Sequence, residues 1–157
     1  MSISPLRALV VALAMVAVVS SAAAQRRGRA LGPRSGAHLG YNFDIDELLL
    51  GAQFSWPLAP RFDLYPSFDY YFVDPGSLWS LNIDAKLRPP TRYGVLYVGG
   101  GLNYSHASFS GNGSSDTGLN LLAGLEGRRT RSAPYVEAKL ILAGETSFQL
   151  VGGFSVR

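Results

Sequence analysis

The chain has 157 residues and a formal net charge of +3, with 47% hydrophobic and 16% charged residues. This is one ordinary domain's length, too apolar for disorder, and its zero cysteines exclude a disulfide scaffold. Charge so near neutral, with no basic stretch interleaved with aromatics, excludes a nucleic-acid groove.

Residues 1–24 read as a cleavable signal peptide. Arg7 supplies the positive n-region, Ala8 to Val19 is an unbroken apolar run, and Ala22-Ala23-Ala24 offers small residues ahead of Gln25. The run is shorter than the roughly 20 residues that span hydrocarbon, and no Cys follows it to carry a lipid. Arg26, Arg27 and Arg29 just past the cut leave an uncleaved anchor as the alternative. Residues 25–33 then form a basic N-terminal segment, and residues 34–157 remain for the folded body.

From there period two dominates, eight times over. Ser35–Phe43 sets Ala37, Leu39, Tyr41 and Phe43 against Gly36, His38, Gly40 and Asn42. Leu48–Trp56 sets Leu48, Leu50, Ala52, Phe54 and Trp56 against Leu49, Gly51, Gln53 and Ser55. Phe62–Phe72 sets Phe62, Leu64, Pro66, Phe68, Tyr70 and Phe72 against Asp63, Tyr65, Ser67, Asp69 and Tyr71. Trp79–Arg88 sets Trp79, Leu81, Ile83, Ala85 and Leu87 against Ser80, Asn82, Asp84, Lys86 and Arg88. Runs at 96–104, 119–126, 135–142 and 148–157 repeat the pattern less sharply, with Leu49, Leu122, Ile141 and Val151 as apolar residues on the polar face.

Turn chemistry falls between the runs at Asp44-Ile45-Asp46, Pro57 to Arg61, Asp74-Pro75-Gly76, Pro89 to Arg92, Arg128 to Pro134 and Gly144-Glu145-Thr146. The stretch from His106 to Thr117, with Ser-Gly-Asn-Gly-Ser-Ser at its centre, reads as one long loop. Pro66 lacks an N–H in mid-strand, so a bulge or local break is expected there. Short connections favour a meander, and strands of about 9–11 residues match a tilted bilayer crossing. The fold class is therefore all-β: an eight-stranded antiparallel up-and-down transmembrane β-barrel. A soluble lipocalin-like barrel would turn the apolar face inward. Aromatics near the stripe ends, a polar face rich in Gly, Ser, Asn and Tyr, and the exclusion of open sheet edges from hydrocarbon favour an apolar exterior.

Three segments carry a resemblance: Tyr97-Val98-Gly99-Gly100-Gly101-Leu102-Asn103-Tyr104, Pro134 to Leu140, and Phe148 to Arg157. With them the chain resembles the small eight-stranded outer-membrane barrels of Gram-negative bacteria. That family usually ends in an aromatic residue, where this chain has Arg157. The resemblance implies both termini in the periplasm, connections 44–46, 73–78, 105–117 and 144–147 outside, and connections 57–61, 89–92 and 127–134 in the periplasm. It also implies outer-membrane lipids, lipopolysaccharide and the barrel assembly machinery as partners of a monomer, and a structural, adhesive or envelope-interaction role without catalysis.

The inward list holds Asp63, Asp69, Asp84, Glu126 and Glu137 against Lys86, Arg88 and Lys139. In so narrow an interior these must pair. A plugging ion-pair network is expected, a narrow polar channel being the alternative. His106 and Ser108, two apart on a strand, place a base beside a hydroxyl. They resemble the His-x-Ser of lipid A deacylases, although the following residue is Phe109 where that family has Asn. The competing functions are accordingly a deacylase-like enzyme using His106 and Ser108, or a binder or conduit for small hydrophobic molecules. His38 stands alone on its face, and two histidines without cysteine suggest no transition-metal site. Gly111 to Asp116 lacks the ligand count of a calcium loop, and Gly99-Gly100-Gly101 lacks dinucleotide spacing, so no catalytic, cofactor or metal residue is assigned. Arg61, Arg88, Arg92, Arg128, Arg129 and Arg131 gather on the periplasmic side, where they meet lipid phosphates or line solvated turns.

Overall fold

The computed structural model describes residues 32–89, 96–109, 112–127, 129 and 131–157. The signal peptide, most of the basic segment, Arg92 and Arg128 lie outside the described residues. Eight strands follow one another: β1 (Arg34–Asn42), β2 (Glu47–Ala59), β3 (Phe62–Tyr71), β4 (Ser77–Leu87), β5 (Leu96–Phe109), β6 (Asn112–Glu126), β7 (Ser132–Leu142) and β8 (Thr146–Val156). Each pairs antiparallel with the next, and β8 closes on β1 from Ser35↔Val156 to Asn42↔Gln149. Closure leaves no edge through the body of the barrel, the condition hydrocarbon imposes. The end holding Arg34 and Val156 is the terminal end; the opposite one is the distal end.

The alternation resolves into two faces of opposite environment. Leu39, Leu48, Trp56, Ile83, Leu102, Leu125 and Phe154 stand outside, each more than half exposed. His38, Gln53, Asp69, Asn82, Asp84, Lys86, Asn120, Glu137 and Lys139 are buried inside. The molecule is thus apolar outside and polar within, the reverse of a soluble barrel. Two of the apolar exceptions, Leu49 and Val151, find each other in the lumen, where they form one cluster with Tyr71 and Tyr135, and Val73 and Leu78 pack against it. Aromatic residues ring the exterior near its distal end, where Phe43 meets Phe148 at 5.5 Å and Trp79 meets Phe68 at 6.2 Å and Tyr104 at 5.8 Å. Phe54 and Trp56, 6.2 Å apart, sit toward the terminal end.

Two expectations are corrected. The 105–117 connection is not a long loop, because β5 runs to Phe109 and β6 starts at Asn112, paired from Tyr104↔Thr117 to Phe109↔Asn112. Ser, Gly and Asn have turn chemistry, but above the apolar belt a ladder to β5 satisfies the backbone groups turned toward it as well as water would, and the hairpin simply continues. Likewise Pro57 and Leu58 belong to β2 and Pro134 to β7, so strands run from 9 to 15 residues.

Opposite Pro66 the β2–β3 ladder is interrupted between Gln53↔Ser67 and Trp56↔Leu64 without a change of register, while Pro66 stays paired with Ile83 on β4. The anticipated mid-strand irregularity is therefore a local break. The register shift lies elsewhere, between Pro57 and Ala59.

Candidate functional site

The lumen is filled in tiers. At the terminal end, Asp63 on β3 and Glu126 on β6 face two guanidinium groups. Arg88 reaches Asp63 Oδ2 at 2.7 Å and Glu126 Oε2 at 2.9 Å, and Arg129 reaches the same atoms at 2.6 and 3.0 Å. Ser55 donates to Asp63 Oδ2 at 2.7 Å. Burial disfavours the Arg129 charge, but Glu126 and Asp63 outweigh it and hold the guanidinium above its ordinary value. Arg129 therefore folds back into the barrel mouth rather than out to lipid or solvent, because two carboxylates in a confined space need a second cation. Among the described residues of this end, Arg61, Arg131 and Arg157 are exposed. Arg34 closes the same end, donating to the Ser155 carbonyl at 2.9 Å.

The middle tier is built on lysines. Lys86 Nζ lies 2.5 Å from Glu137 Oε2, which also accepts from the Tyr97 hydroxyl at 2.8 Å. The same ammonium sits 3.2 Å from the centre of the Tyr65 ring. Lys139 Nζ lies 3.3 Å from Asp84 Oδ2, and Asn120 donates to Asp84 Oδ1 at 2.8 Å. His38 is not alone: its Nε2 is 2.7 Å from Asp69 Oδ1 and its Nδ1 is 3.0 Å from Gln53 Oε1. Asn82 holds the other Asp69 oxygen at 3.0 Å, and Tyr135 donates to Gln53. Gly51 makes room for this, since a Cβ there would overlap both His38 and Asp69. Toward the distal end the apolar cluster follows, and Tyr71 donates to Gln149 at 2.9 Å.

The open space within this packing is divided. Between the terminal and middle tiers lies a cavity of about 10 Å³, among Gln53, Tyr65, Arg88, Glu126 and their neighbours, about the room one water needs. Above the apolar cluster the barrel opens into a distal vestibule of about 350 Å³ beside Tyr71, Leu78, Asp116 and Glu145. The two spaces are separated by the ion pairs and by Leu49, Tyr71 and Val151.

His106 and Ser108 share the outward stripe of β5 with Leu102 and Tyr104, as the period of two requires. His106 Nδ1, however, bonds Ser115 Oγ at 2.8 Å, a residue directly opposite it on β6. Tyr104 donates to that same hydroxyl at 3.1 Å, and the Trp79 ring lies 5.5 Å from the imidazole. Among the described residues no hydrogen bond joins His106 to Ser108. Asp116, the carboxylate nearest to His106 in sequence, belongs to the opposite face of β6, where it accepts from the backbone N–H of Thr117 at 2.8 Å and of Gly144 at 2.9 Å. Glu126 is held by arginines at the far end of the strand. The alternative pair, His106 and Ser108, is therefore not assembled as a nucleophile with an oriented base. Ser115 was missed because it becomes a neighbour of His106 only once the hairpin is known. From Asn112 onward the glycine-serine segment is extended strand, which holds alternate side chains about 7 Å apart instead of wrapping them round an ion.

A closed eight-stranded sheet with an apolar exterior, aromatic rings near its ends and a charge-paired interior defines a small transmembrane β-barrel of the bacterial outer-membrane type. Solved structures agree. The chain is similar to the N-terminal β-barrel domain of OprF from Pseudomonas aeruginosa, at 20% identity over 79% of this chain and 95% of that one, with a TM-score of 0.67. It is similar to Neisserial surface protein A at 16% identity, covering 79% of this chain and 94% of that one, with a TM-score of 0.61. It is also similar to Ail, the attachment invasion locus protein of Yersinia pestis, in complex with the heparin analogue sucrose octasulfate. That likeness is at 14% identity over 80% of this chain and 99% of that one, with a TM-score of 0.54. At such identities the shared property is the fold. No protein-family model matches the sequence, and no curated protein does.

Proposed function

We propose that the chain is an integral barrel of the bacterial outer membrane, exported by residues 1–24, with a structural, adhesive or envelope-interaction role and no catalysis. The observation that carries this reading is the lumen. Side chains from every strand fill it, the ion pairs lie across it, and the surfaces left for work are the apolar belt and the distal rim. Outer-membrane lipids and lipopolysaccharide are the partners of the belt, the barrel assembly machinery inserts the chain, and the folded form is a monomer. The termini lie in the periplasm and the distal end faces outward. Neisserial surface protein A and Ail, by their names a surface and an attachment protein, share this fold, which supports the reading.

The test is expression of the full chain in a Gram-negative host. The expected result is recovery in the outer-membrane fraction, with a gel mobility that changes on boiling, and no resolved conductance steps in planar bilayers. A freely water-soluble product, or steady single-channel current, would overturn the reading. Acyl release from lipopolysaccharide by the purified barrel would overturn its non-catalytic part.

A further inference from the structure

The hairpin that replaces the expected loop leaves a strand edge uncovered. β5 stays paired with β4 as far as Ser77↔Ser108. On the other side β6 pairs with β7 only from Leu119↔Leu142 inward, so among the described residues Asn112–Thr117 carries β5 on one side and no strand on the other. In an antiparallel ladder alternate residues turn their N–H and C=O groups to opposite sides, so about half of these six residues offer donors and acceptors to the open side. Natural edges are usually blunted by lysine, proline, a bulge or a covering loop. This one has neither lysine nor proline, Asp116 is its one charged residue, and its register with β5 is unbroken from Tyr104↔Thr117 to Phe109↔Asn112. The neighbouring β7–β8 turn touches this stretch through its central residue, the Gly144 N–H donating to the Asp116 side chain at 2.9 Å and leaving the backbone of the edge unpaired on that side. All six residues are exposed.

The charge around this edge is one-sided. Asp44, Asp46, Glu47, Asp74, Asp116 and Glu145 lie in or beside the distal turns, and none of the four distal connections contains a lysine or arginine. Among the described residues the lysines and arginines lie in the lumen or at the terminal end. A sulfated or phosphorylated polyanion meets the wrong sign here, and so does an acidic peptide.

We propose that the open edge of β6, Asn112–Thr117, takes an extended, lysine- or arginine-bearing segment of a partner protein as an added ninth strand. Main-chain hydrogen bonds to the edge supply the pairing, and the acidic rim selects the cationic partner and speeds its approach. About six residues of partner, roughly 20 Å of strand, fill the edge. The inference rests on the proposed function for the outward orientation of the distal end.

The test uses the full chain, folded in detergent micelles, and three labelled ten-residue peptides: alternating Lys and Thr, alternating Lys and Pro, and alternating Glu and Thr. Fluorescence anisotropy reads binding, and hydrogen exchange of the barrel amides locates it. The Lys/Thr peptide is expected to bind at least about tenfold more tightly than either control and to slow exchange at 112–117. The double substitution Asp74→Asn/Glu145→Gln, at two exposed positions, is expected to weaken it about threefold. Equal binding of the Lys/Pro peptide overturns strand addition, and equal binding of the Glu/Thr peptide overturns the charge selection. No Lys/Thr binding to protein that still shifts its mobility on boiling overturns this inference alone, whereas loss of that shift in the unmodified chain is failure of the barrel reading.

Discussion

Glu137→Gln is the sharpest test of the filled lumen. The substitution keeps shape and removes the charge that Lys86 Nζ meets at 2.5 Å, in a pair whose two side chains are each 2% exposed. Leaving a buried charge without its partner costs about 3–5 kcal/mol. Two contacts reduce that here. The ammonium still lies 3.2 Å over Tyr65 and 4.4 Å from the Tyr97 ring, contacts of roughly 0.5–2 kcal/mol each. A net loss of about 2–4 kcal/mol is expected. Adding Lys86→Met to the same chain removes the stranded charge and should restore most of the loss, because apolar replacement of a buried pair is often neutral or better. Lys86→Met alone should cost less than Glu137→Gln, since Glu137 keeps Lys139 at 4.0 Å. The assay is urea unfolding in detergent or vesicles, followed by the fluorescence of Trp56 and Trp79, with the gel mobility shift as a second probe. A single-variant loss below about 1 kcal/mol, or a double variant whose loss equals the sum of the two singles, would refute the reasoning.

Other substitutions probe the remaining layers. Gly51→Ala should destabilise by about 1–3 kcal/mol, since its Cβ overlaps His38 and Asp69. Gly152→Ala, whose Cβ meets nothing nearer than the Tyr135 carbonyl oxygen at 3.9 Å, should stay within about 0.5 kcal/mol in the same unfolding assay. Ile83→Lys, at a side chain 58% exposed halfway along β4, should cost about 2–4 kcal/mol in lipid vesicles; a cost near zero would mean that this face meets water. Pro66→Val supplies the donor missing opposite β2 and should stabilise by about 0.5–1.5 kcal/mol, which unchanged or lowered thermal resistance in detergent would contradict.

Period two alone carries the strands and both faces, because a side chain in a strand has no third direction. Even the exceptions were legible: Leu49 and Val151 break the polar stripe in sequence and pack together in the lumen. What the pattern lacks is pairing across the barrel. His38 looks solitary along the chain because Asp69 is 31 residues away. Arg129 sits in a turn rich in arginines, and only the placement of Asp63, 66 residues away in sequence, brings it inward. The His106 stretch misled for a different reason. Glycine and serine report flexibility, whereas a rim hairpin is held by its backbone, which composition does not reveal. With the ladder in place, His106 acquires Ser115 as its partner and the catalytic reading of Ser108 loses its geometry.

The apolar exterior cannot drive this barrel to close once it lies in lipid, because acyl chains solvate a leucine as well as another leucine does. Closure depends on the backbone ladder and on what the lumen ties together. The ties are transverse. Lys86 on β4 reaches Glu137 on β7, His38 on β1 reaches Asp69 on β3, Tyr71 on β3 reaches Gln149 on β8, and Arg88, at the end of β4, reaches Glu126 on β6. None of these joins adjacent strands. A register slip by one residue would turn every lumen-facing side chain of that strand out into hydrocarbon, taking its charges away from their partners. The polar interior thereby enforces the register that the apolar exterior cannot. The rim hairpin lies beyond that constraint, so β6 can run past β7 there and leave its edge open without disturbing the body of the barrel.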